Sequence, residues 1–301
     1  MVGLPRLSPL FLNKNMNSIN LKAYAKVNIG LHIRDQRNDG FHNIHTVFQE
    51  LELHDQILIE KQPRTWSIQI NDSKIPIDES NTCVQAYLIV KKQFSEIDGI
   101  SVTLKKYIPS GAGLGGGSSD AATVLKGLRE LYDLPLDNSE LCEIAAKIGA
   151  DVPFFILGGT QIGNGIGDVL SKISKPVDGY YLLIVPDIFI STAWAYKALK
   201  KHLKDDTDRP NFAHFLESNN LSNTIFDNDF ERIVIPTYPK IGEIKKGLLQ
   251  IGASYASLSG SGSTVFGLFD EEAKAKQAES HFQKTVSNLP YQTNQYLVLL
   301  L

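Results

Sequence analysis

The sequence predicts an α+β fold in two domains. Strand-like and helix-like segments alternate irregularly along 301 residues, without the strict order of a doubly wound sheet. A glycine-rich stretch, residues 109–120, separates a strand-like run from a helix-like run. The break Pro176 to Gly179 divides the chain, giving an N-terminal domain over residues 19–175 and a C-terminal domain over 176–301. There is no internal repeat.

Composition narrows the function classes. Hydrophobic residues make up 43% and charged residues 21%, a soluble globular profile. A net charge of −3 gives no global electrostatic case for nucleic acid or an anionic membrane as partner. No run has the length of a membrane span. Two cysteines, Cys83 and Cys142, lack zinc spacing and cannot build a disulfide framework; they read as core thiols in a reducing cytoplasm. Residues 1–18 read as a disordered extension or an over-long start, because their short apolar stretch is too brief for a secretory signal.

The elements follow in order. Leu21 to Ile33 alternates loosely and predicts one or two strands; Thr46 to Glu60 predicts another pair, and Trp66 to Ile70 a clean strand. Asn81 begins a helix with Val84, Tyr87, Leu88 and Lys91 on one face. Ile100 to Lys105 is a strand, Ala121 to Tyr132 an amphipathic helix, and Leu141 to Ile148 a helix ending at Gly149. After the break, Tyr180 to Val185 is an apolar strand and Thr192 to Leu203 a helix. The polar segment Asp205 to Asn228 reads as a long loop. Ile241 to Ile251 is a helix ended by Gly252. A strand pair, Tyr255 to Leu258 and Thr264 to Phe269, flanks Ser259 to Ser263. A charged helix, Glu271 to Val286, and a strand, Gln295 to Leu301, follow.

The glycine stretch carries the first chemical signal. Strand, glycine loop and helix in that order make an anion site, since glycines let backbone N–H groups approach a phosphate and the helix start adds unpaired N–H groups. Gly111 to Gly116 satisfies G-x-G-x-x-G, but the acidic residue at dinucleotide spacing, Glu130, lies inside a helix pattern, which disfavours a nicotinamide fold. A P-loop fails as well, because Gly117 stands where its lysine belongs. A triphosphate held here needs positive charge from Mg²⁺ or a distant lysine.

Three other segments bear on that need. Lys26 lies in the strand pattern Ala23 to Asn28, with Asn28 on the same face. A strand lysine is ordinarily solvated; the missing P-loop lysine makes this one a candidate. Asp151, between Gly149 and the apolar run Val152 to Phe155, is either an N-cap or a carboxylate able to accept a hydroxyl proton. The Ser259 to Ser263 turn is ordinary alone, but beside a phosphate loop it offers an opposite cleft wall.

These segments, in this order, resemble the GHMP kinase superfamily, with its lysine-bearing N-terminal strand, P-x3-G-x-G-x-x-S-S loop and C-terminal glycine–serine segment. The resemblance covers the chain from about Leu21 onward. It implies a ribosomal protein S5 domain 2-like N-terminal domain that binds ATP and a ferredoxin-like C-terminal domain on the substrate side. The element Arg37-Asn38-Asp39-Gly40-Phe41-His42, with Gly149-Ala150-Asp151-Val152-Pro153, is similar to the branch that phosphorylates the 2-hydroxyl of a CDP-linked methylerythritol in non-mevalonate isoprenoid biosynthesis.

Residue by residue, the resemblance implies that Lys26 and Asp151 are the catalytic pair, oriented by Asn28. Phe41 and His42 would recognise cytosine, with Tyr196 as the second face of an aromatic sandwich. Asn81 and Lys106 would lie near adenine. Pro109, Gly111, Gly113, Leu114, Gly115, Gly116, Gly117, Ser118 and Ser119 would wrap the ATP phosphates, with Mg²⁺ as cofactor, its ligands unassigned and a role for Asp120 open. The chain departs from the family at Phe41, usually tyrosine, and at Asp168, usually glutamate. The partners implied are small molecules, neither nucleic acid nor membrane, with the protein a monomer or weak homodimer. Two other readings stand beside this one: a GHMP kinase for homoserine or a sugar, and a nucleotide-binding regulator without catalysis.

Overall fold

Two long antiparallel strands, β1 (Ser18–Gln36) and β2 (His42–Gln62), form the spine of the first half in a computed structural model describing residues 16–173, 175–199, 210–216, 221–287 and 296–301. Most of the extension read over residues 1–18 therefore lies outside the described residues. β1 is continuous where the sequence suggests one or two strands, and β2 is a single strand where it suggests a pair. Register shifts between Tyr24 and Ala25 and between Ile29 and Leu31 explain the loose alternation, since a bulge moves the pattern to the other face.

The strand β3 (Trp66–Ile70) precedes helix α1 (Thr82–Gln93), whose N-cap Asn81 accepts from the Cys83 backbone N–H at 2.8 Å. Strand β4 (Gly99–Lys105) runs parallel to β3 and antiparallel to β2. Helix α2 (Gly116–Leu131) starts five residues before the sequence pattern suggests, inside the glycine run. The apolar period begins only at Ala121, so hydrophobicity could not mark that first turn. Helix α3 (Asn138–Ala146) opens on an Asp137–Glu140 capping box. The short α4 (Val152–Leu157) then leads to β5 (Thr160–Asn164) and β6 (Val169–Lys172), which complete a six-stranded sheet. Residues such as Ile57, Ile59, Tyr87, Val124, Leu128 and Phe154 bury one sheet face under the helices. Each such side chain contributes about 1.5–3 kcal/mol on removal from water.

The second half centres on β7 (Tyr180–Pro186), followed by α5 (Thr192–Leu199), α6 (Phe212–Leu216), α7 (Glu231–Thr237) and α8 (Pro239–Gln250). The hairpin β8 (Tyr255–Leu258) and β9 (Val265–Phe269), helix α9 (Glu272–Ser287) and strand β10 (Tyr296–Leu300) close it. The strand order is β10-β7-β9-β8, all antiparallel.

The segment read as a loop from Asp205 to Asn228 is corrected where it is described. It contains α6, and Phe212 and Phe226 are fully buried, stacked at 4.9 Å. Two aromatic anchors in a polar stretch are enough to order it, because each carries a large apolar area.

These anchors join the halves across β1. Ala25, Val27 and Ile29 pack against Phe212, Phe226, Tyr255 and Phe266. The Tyr255 hydroxyl donates to the Phe226 carbonyl at 2.6 Å and accepts from the Gly30 N–H at 3.1 Å. Leu31 bridges to Asn228. These contacts cover the face of β1 that bears Ala25, Val27 and Ile29; Lys26 and Asn28 point to the opposite face and are buried there as well.

Candidate active site

Lys26 is only 3% exposed, so it is not the solvated strand lysine that its local pattern allows. Its ammonium donates to Asn28 Oδ1 at 2.6 Å and lies 3.5 Å from Asp151 Oδ2. Asn28 in turn donates to Thr46 Oγ1 at 3.0 Å, and Thr46 donates to the Gly30 carbonyl at 2.7 Å. This chain of bonds fixes the amide with its oxygen toward the lysine. The Phe48 ring lies 5.6 Å below the ammonium.

Asp151 occupies the N-cap position of α4 but makes no capping bond. Its side chain instead meets Lys26, and it remains about one-third exposed on a cavity wall. A carboxylate withheld from its local structural use, held beside a buried cation and open to a cavity, is suited to accepting a proton from a bound hydroxyl.

Two cavities meet beside this pair, at Gly113 and Gly115. The larger, about 780 Å³, is lined by Lys26, Asn28 and Asp151 together with Phe41, His42 and Tyr196. The smaller, about 380 Å³, is walled by the glycine loop, Asn81, Thr82 and Lys106. Gly113 and Gly115 line both. A Cβ on Gly115 would come within 3.1 Å of Lys26 Cε and 2.7 Å of Phe155, and its φ of +72° favours glycine independently. The loop carbonyls are held from outside: Lys26 N–H donates to Leu114 at 3.0 Å, Ser259 Oγ to Gly113 at 2.9 Å, and Thr264 N–H to Ala112 at 3.1 Å. With Gly116, Gly117 and Ser118 in the first turn of α2, their N–H groups have no acceptor within the helix, which makes this wall an anion site.

The acceptor-side aromatics are positioned by the tight β1–β2 connection. Arg37 N–H donates to the Phe41 carbonyl at 2.8 Å, Phe41 N–H to Asp39 Oδ1 at 3.1 Å, and Arg37 pairs with Asp39 at 2.8 Å. Phe41 is 57% exposed at the cavity mouth. His42 and Tyr196 stack on one another at 5.0 Å and 19°, and Tyr196 meets Phe230 edge-on at 5.0 Å. Burial, with the Asp151 charge adding to it, pushes the Tyr196 hydroxyl up to about 12, so this ring stays neutral at physiological pH.

Not every residue expected at the nucleotide lines its cavity with a free group. Asn81 uses its oxygen as the α1 cap and donates its amide to the Pro76 carbonyl at 2.7 Å. Ser119 is buried in α2 and is absent from either cavity wall. Lys106 lines the cavity while its ammonium binds Asp55 and, at 2.6 Å, Asp120. Burial works against the Lys106 charge, but Asp120 and Asp55 outweigh it and raise its pKa. Burial, with Asp55 beside it, pushes the Asp120 carboxyl up to about 7 against the pull of Lys106. Asp120 thus faces Lys106 and, though buried, lies on the wall of the smaller cavity.

Asp55, Thr46 and Asn228 were not legible as site residues. Asp55 accepts from the Tyr107 and Ile108 N–H groups at 2.5 and 2.8 Å and so anchors the entry to the glycine loop. Its signal was an aspartate inside an apolar strand, a placement that demands partners. The Ser259 to Ser263 turn does form the opposite wall, with Gly260 and Ser261 on the larger cavity. Asp168 accepts from the Ile166 N–H at 3.2 Å and shapes the turn beside Asp151.

Comparison with known proteins agrees with this geometry. Residues 81–159 match the model of the GHMP kinases N-terminal domain, and residues 195–288 that of the GHMP kinases C-terminal domain. The chain is 40% identical over 281 residues to the 4-diphosphocytidyl-2-C-methyl-D-erythritol kinase of Chlorobium chlorochromatii, covering 91% of this chain and 94% of that protein. It is 42% identical over 272 residues to the enzyme of the same name from Thermodesulfovibrio yellowstonii, covering 87% and 93%. A crystal structure of 4-(cytidine 5'-diphospho)-2C-methyl-D-erythritol kinase superposes with a TM-score of 0.78 at 29% identity, over 94% of this chain and 98% of that one. A homoserine kinase from Cytophaga hutchinsonii has the same fold, with a TM-score of 0.76 at 20% identity over 97% and 96% of the two chains.

Proposed function

From the premise that this chain belongs to the GHMP kinases, a family of phosphotransferases, we propose that it transfers the γ-phosphoryl group of ATP to the 2-hydroxyl of 4-diphosphocytidyl-2-C-methyl-D-erythritol, in isoprenoid biosynthesis by the non-mevalonate route. The observation that carries the reading is the position of Lys26 and Asp151 on an aromatic-walled cavity that shares Gly113 and Gly115 with the glycine-loop cavity. A hydroxyl entering from one side and a triphosphate from the other meet at this pair.

Asp151 takes the proton of the 2-hydroxyl as its oxygen forms a bond to the γ-phosphorus. The bond from that phosphorus to the β–γ bridging oxygen breaks, and ADP leaves. Lys26 orients the carboxylate and meets the charge developing on the transferring group. Asn28, held by Thr46, keeps the ammonium in place. Phe41 stacks on the cytosine at the mouth, and the His42–Tyr196 pair forms the wall behind it.

The described residues contain no group of three or more His, Cys, Asp or Glu side chains placed to hold a metal. Ser118, on the loop wall of the smaller cavity, would hold Mg²⁺ together with the nucleotide's own phosphates. Such an ion neutralises charge on the triphosphate. The reaction belongs in the cytoplasm, where Cys83 and Cys142 remain thiols.

The test is MgATP-dependent ADP release with the purified cytidylyl acceptor, against homoserine and galactose in parallel. Turnover confined to the cytidylyl compound is the expected result. Turnover of homoserine or galactose instead would reassign the acceptor, and ATP binding without any turnover would make the chain a nucleotide-binding regulator.

A further inference from the structure

We propose that Asn228 is a positioning residue for phosphoryl transfer, holding the glycine–serine turn against Lys26 and, through Phe230, the aromatic wall of the acceptor cavity. The inference rests on the reading of Lys26 and Asp151 as the reacting pair. Asn228 itself is remote from substrate: it is 1% exposed, at the entry to α7.

All of its side-chain polar atoms are engaged. The amide nitrogen donates to the carbonyls of Leu258, at 2.8 Å, and Gly260, at 2.9 Å. Its oxygen accepts from the Phe230 N–H at 3.0 Å. One planar group therefore fixes two segments at a set separation. A buried amide can do this because it presents two donors and an acceptor in one plane, and leaving any of the three unpaired is costly.

Each segment leads to the site. Gly260 sits over the catalytic strand, so close that a Cβ there would lie 3.6 Å from Asn28 Oδ1 and 3.7 Å from Lys26 Nζ. The next residue, Ser261, shares a hydrogen bond of 2.8 Å with Thr192 at the start of α5, the helix that carries Tyr196. On the other side, Phe230 abuts the edge of Tyr196, which stacks on His42. Glu231 completes the grip by accepting from the Leu258 N–H at 2.9 Å while its other oxygen binds Lys245 at 2.5 Å. The turn is thus held by its carbonyls and by an N–H from one short stretch, residues 228–231. That stretch is itself bridged to β1 at Leu31, on the same strand as Lys26.

The decisive variant is Asn228→Asp. It keeps the shape and the oxygen that accepts from Phe230, but turns an oxygen toward the two carbonyls that the amide nitrogen served. A displacement of the turn by about 1 Å costs on the order of 10²-fold in rate when the reacting groups depend on it. The expected result is a 10- to 100-fold fall in kcat with a several-fold rise in acceptor KM and a smaller loss of ATP affinity by direct titration, because Ser259 of the same turn holds the Gly113 carbonyl of the phosphate loop. A fall in kcat that merely matches the lost ATP-binding fraction, with acceptor KM unchanged, would overturn the proposal, as would wild-type kinetics. Asn228→Ser, which retains one donor, is expected to fall between the two, and it carries the same readings where the aspartate variant does not fold. The wild-type enzyme is assayed first. If it fails to turn over the cytidylyl acceptor, the functional reading falls by itself. The inference is then decided by the crystal structure of the variant, in which Gly260 and Tyr196 must both have shifted.

Discussion

The ammonium of Lys26 lies 3.5 Å from the Asp151 carboxylate, with the lysine buried and the aspartate about one-third open to the acceptor cavity. On the proposed function, that asymmetry divides the roles: the exposed partner would reach the substrate, and the buried one would orient it. Asp151→Asn keeps the shape and removes the base. It is expected to lower kcat by about 10²- to 10⁴-fold while ATP still binds. Steady-state kinetics with a parallel ATP titration checks both, and near-normal turnover would remove Asp151 from the mechanism.

Gly113 is the tightest point of the phosphate loop. A Cβ there would lie 2.1 Å from the Ser259 carbonyl oxygen, at a φ of +83°. Gly113→Ala therefore adds a clash with rigid backbone to a strain of about 1–3 kcal/mol. Gly159 has a similar φ of +71° with no atom within 4 Å of a Cβ, so Gly159→Ala carries the strain alone. The alanine at 113 is expected to lower the unfolding midpoint more than the one at 159 and to weaken ATP binding, which the other leaves intact. Equal midpoints would mean that the loop moves freely from the turn.

Local signals made much of this legible. The glycine run, the Asn81 cap and the clean alternation of Trp66 to Ile70 are statements about neighbouring residues, and the structure keeps them. What the sequence hid is set by distant contacts. Lys26 looks like a solvated strand residue until Gly115, Asp151 and Gly260, all more than 80 residues away, close over its side chain. Asp55 gains its meaning from Lys106, 51 positions on. The six-residue α4 is too short for periodicity to reveal, and α7 carries Pro236 inside it, so composition argues against a helix there. From its own segment Asp151 reads as a choice between cap and base, and only the resemblance implies the base; in the structure it makes no capping bond.

Phe41 offers a clean separation of binding from folding, because it is more than half exposed at the cavity mouth. Phe41→Ala is expected to leave stability within about 0.5 kcal/mol, as exposed substitutions do. Loss of base stacking is worth about 1–3 kcal/mol, or roughly 5- to 150-fold in acceptor KM. Phe41→Tyr keeps the stacking face and should hold KM near the wild type. An alanine variant with unchanged acceptor KM and unchanged kcat would place the cytosine elsewhere.

The Asp120 carboxyl links pH to stability through a buried cluster. It is raised to about 7 chiefly by burial, then by Asp55, against Lys106, and the buried Cys83 thiol beside it is raised well above its usual value. For an acid raised above its unfolded value of 3.8, the folded state holds a proton that the unfolded state has already released between about pH 4 and pH 7. The folded form therefore binds more protons in that window, and this residue's contribution to stability declines as pH rises through it. Above about 7 both states are ionised and the decline stops. Lys106, raised above 10.5, and the Cys83 thiol hold their protons throughout this range, so neither mimics the effect. Asp120→Asn removes the titration while keeping a side chain able to bond to Asp55. Urea unfolding of wild type and variant at pH 5, 6, 7 and 8 should show the difference moving in favour of the variant as pH rises to about 7, then levelling. A difference that stays constant from pH 5 to pH 8 would mean that Asp120 is ionised across the range and that Lys106 governs its charge.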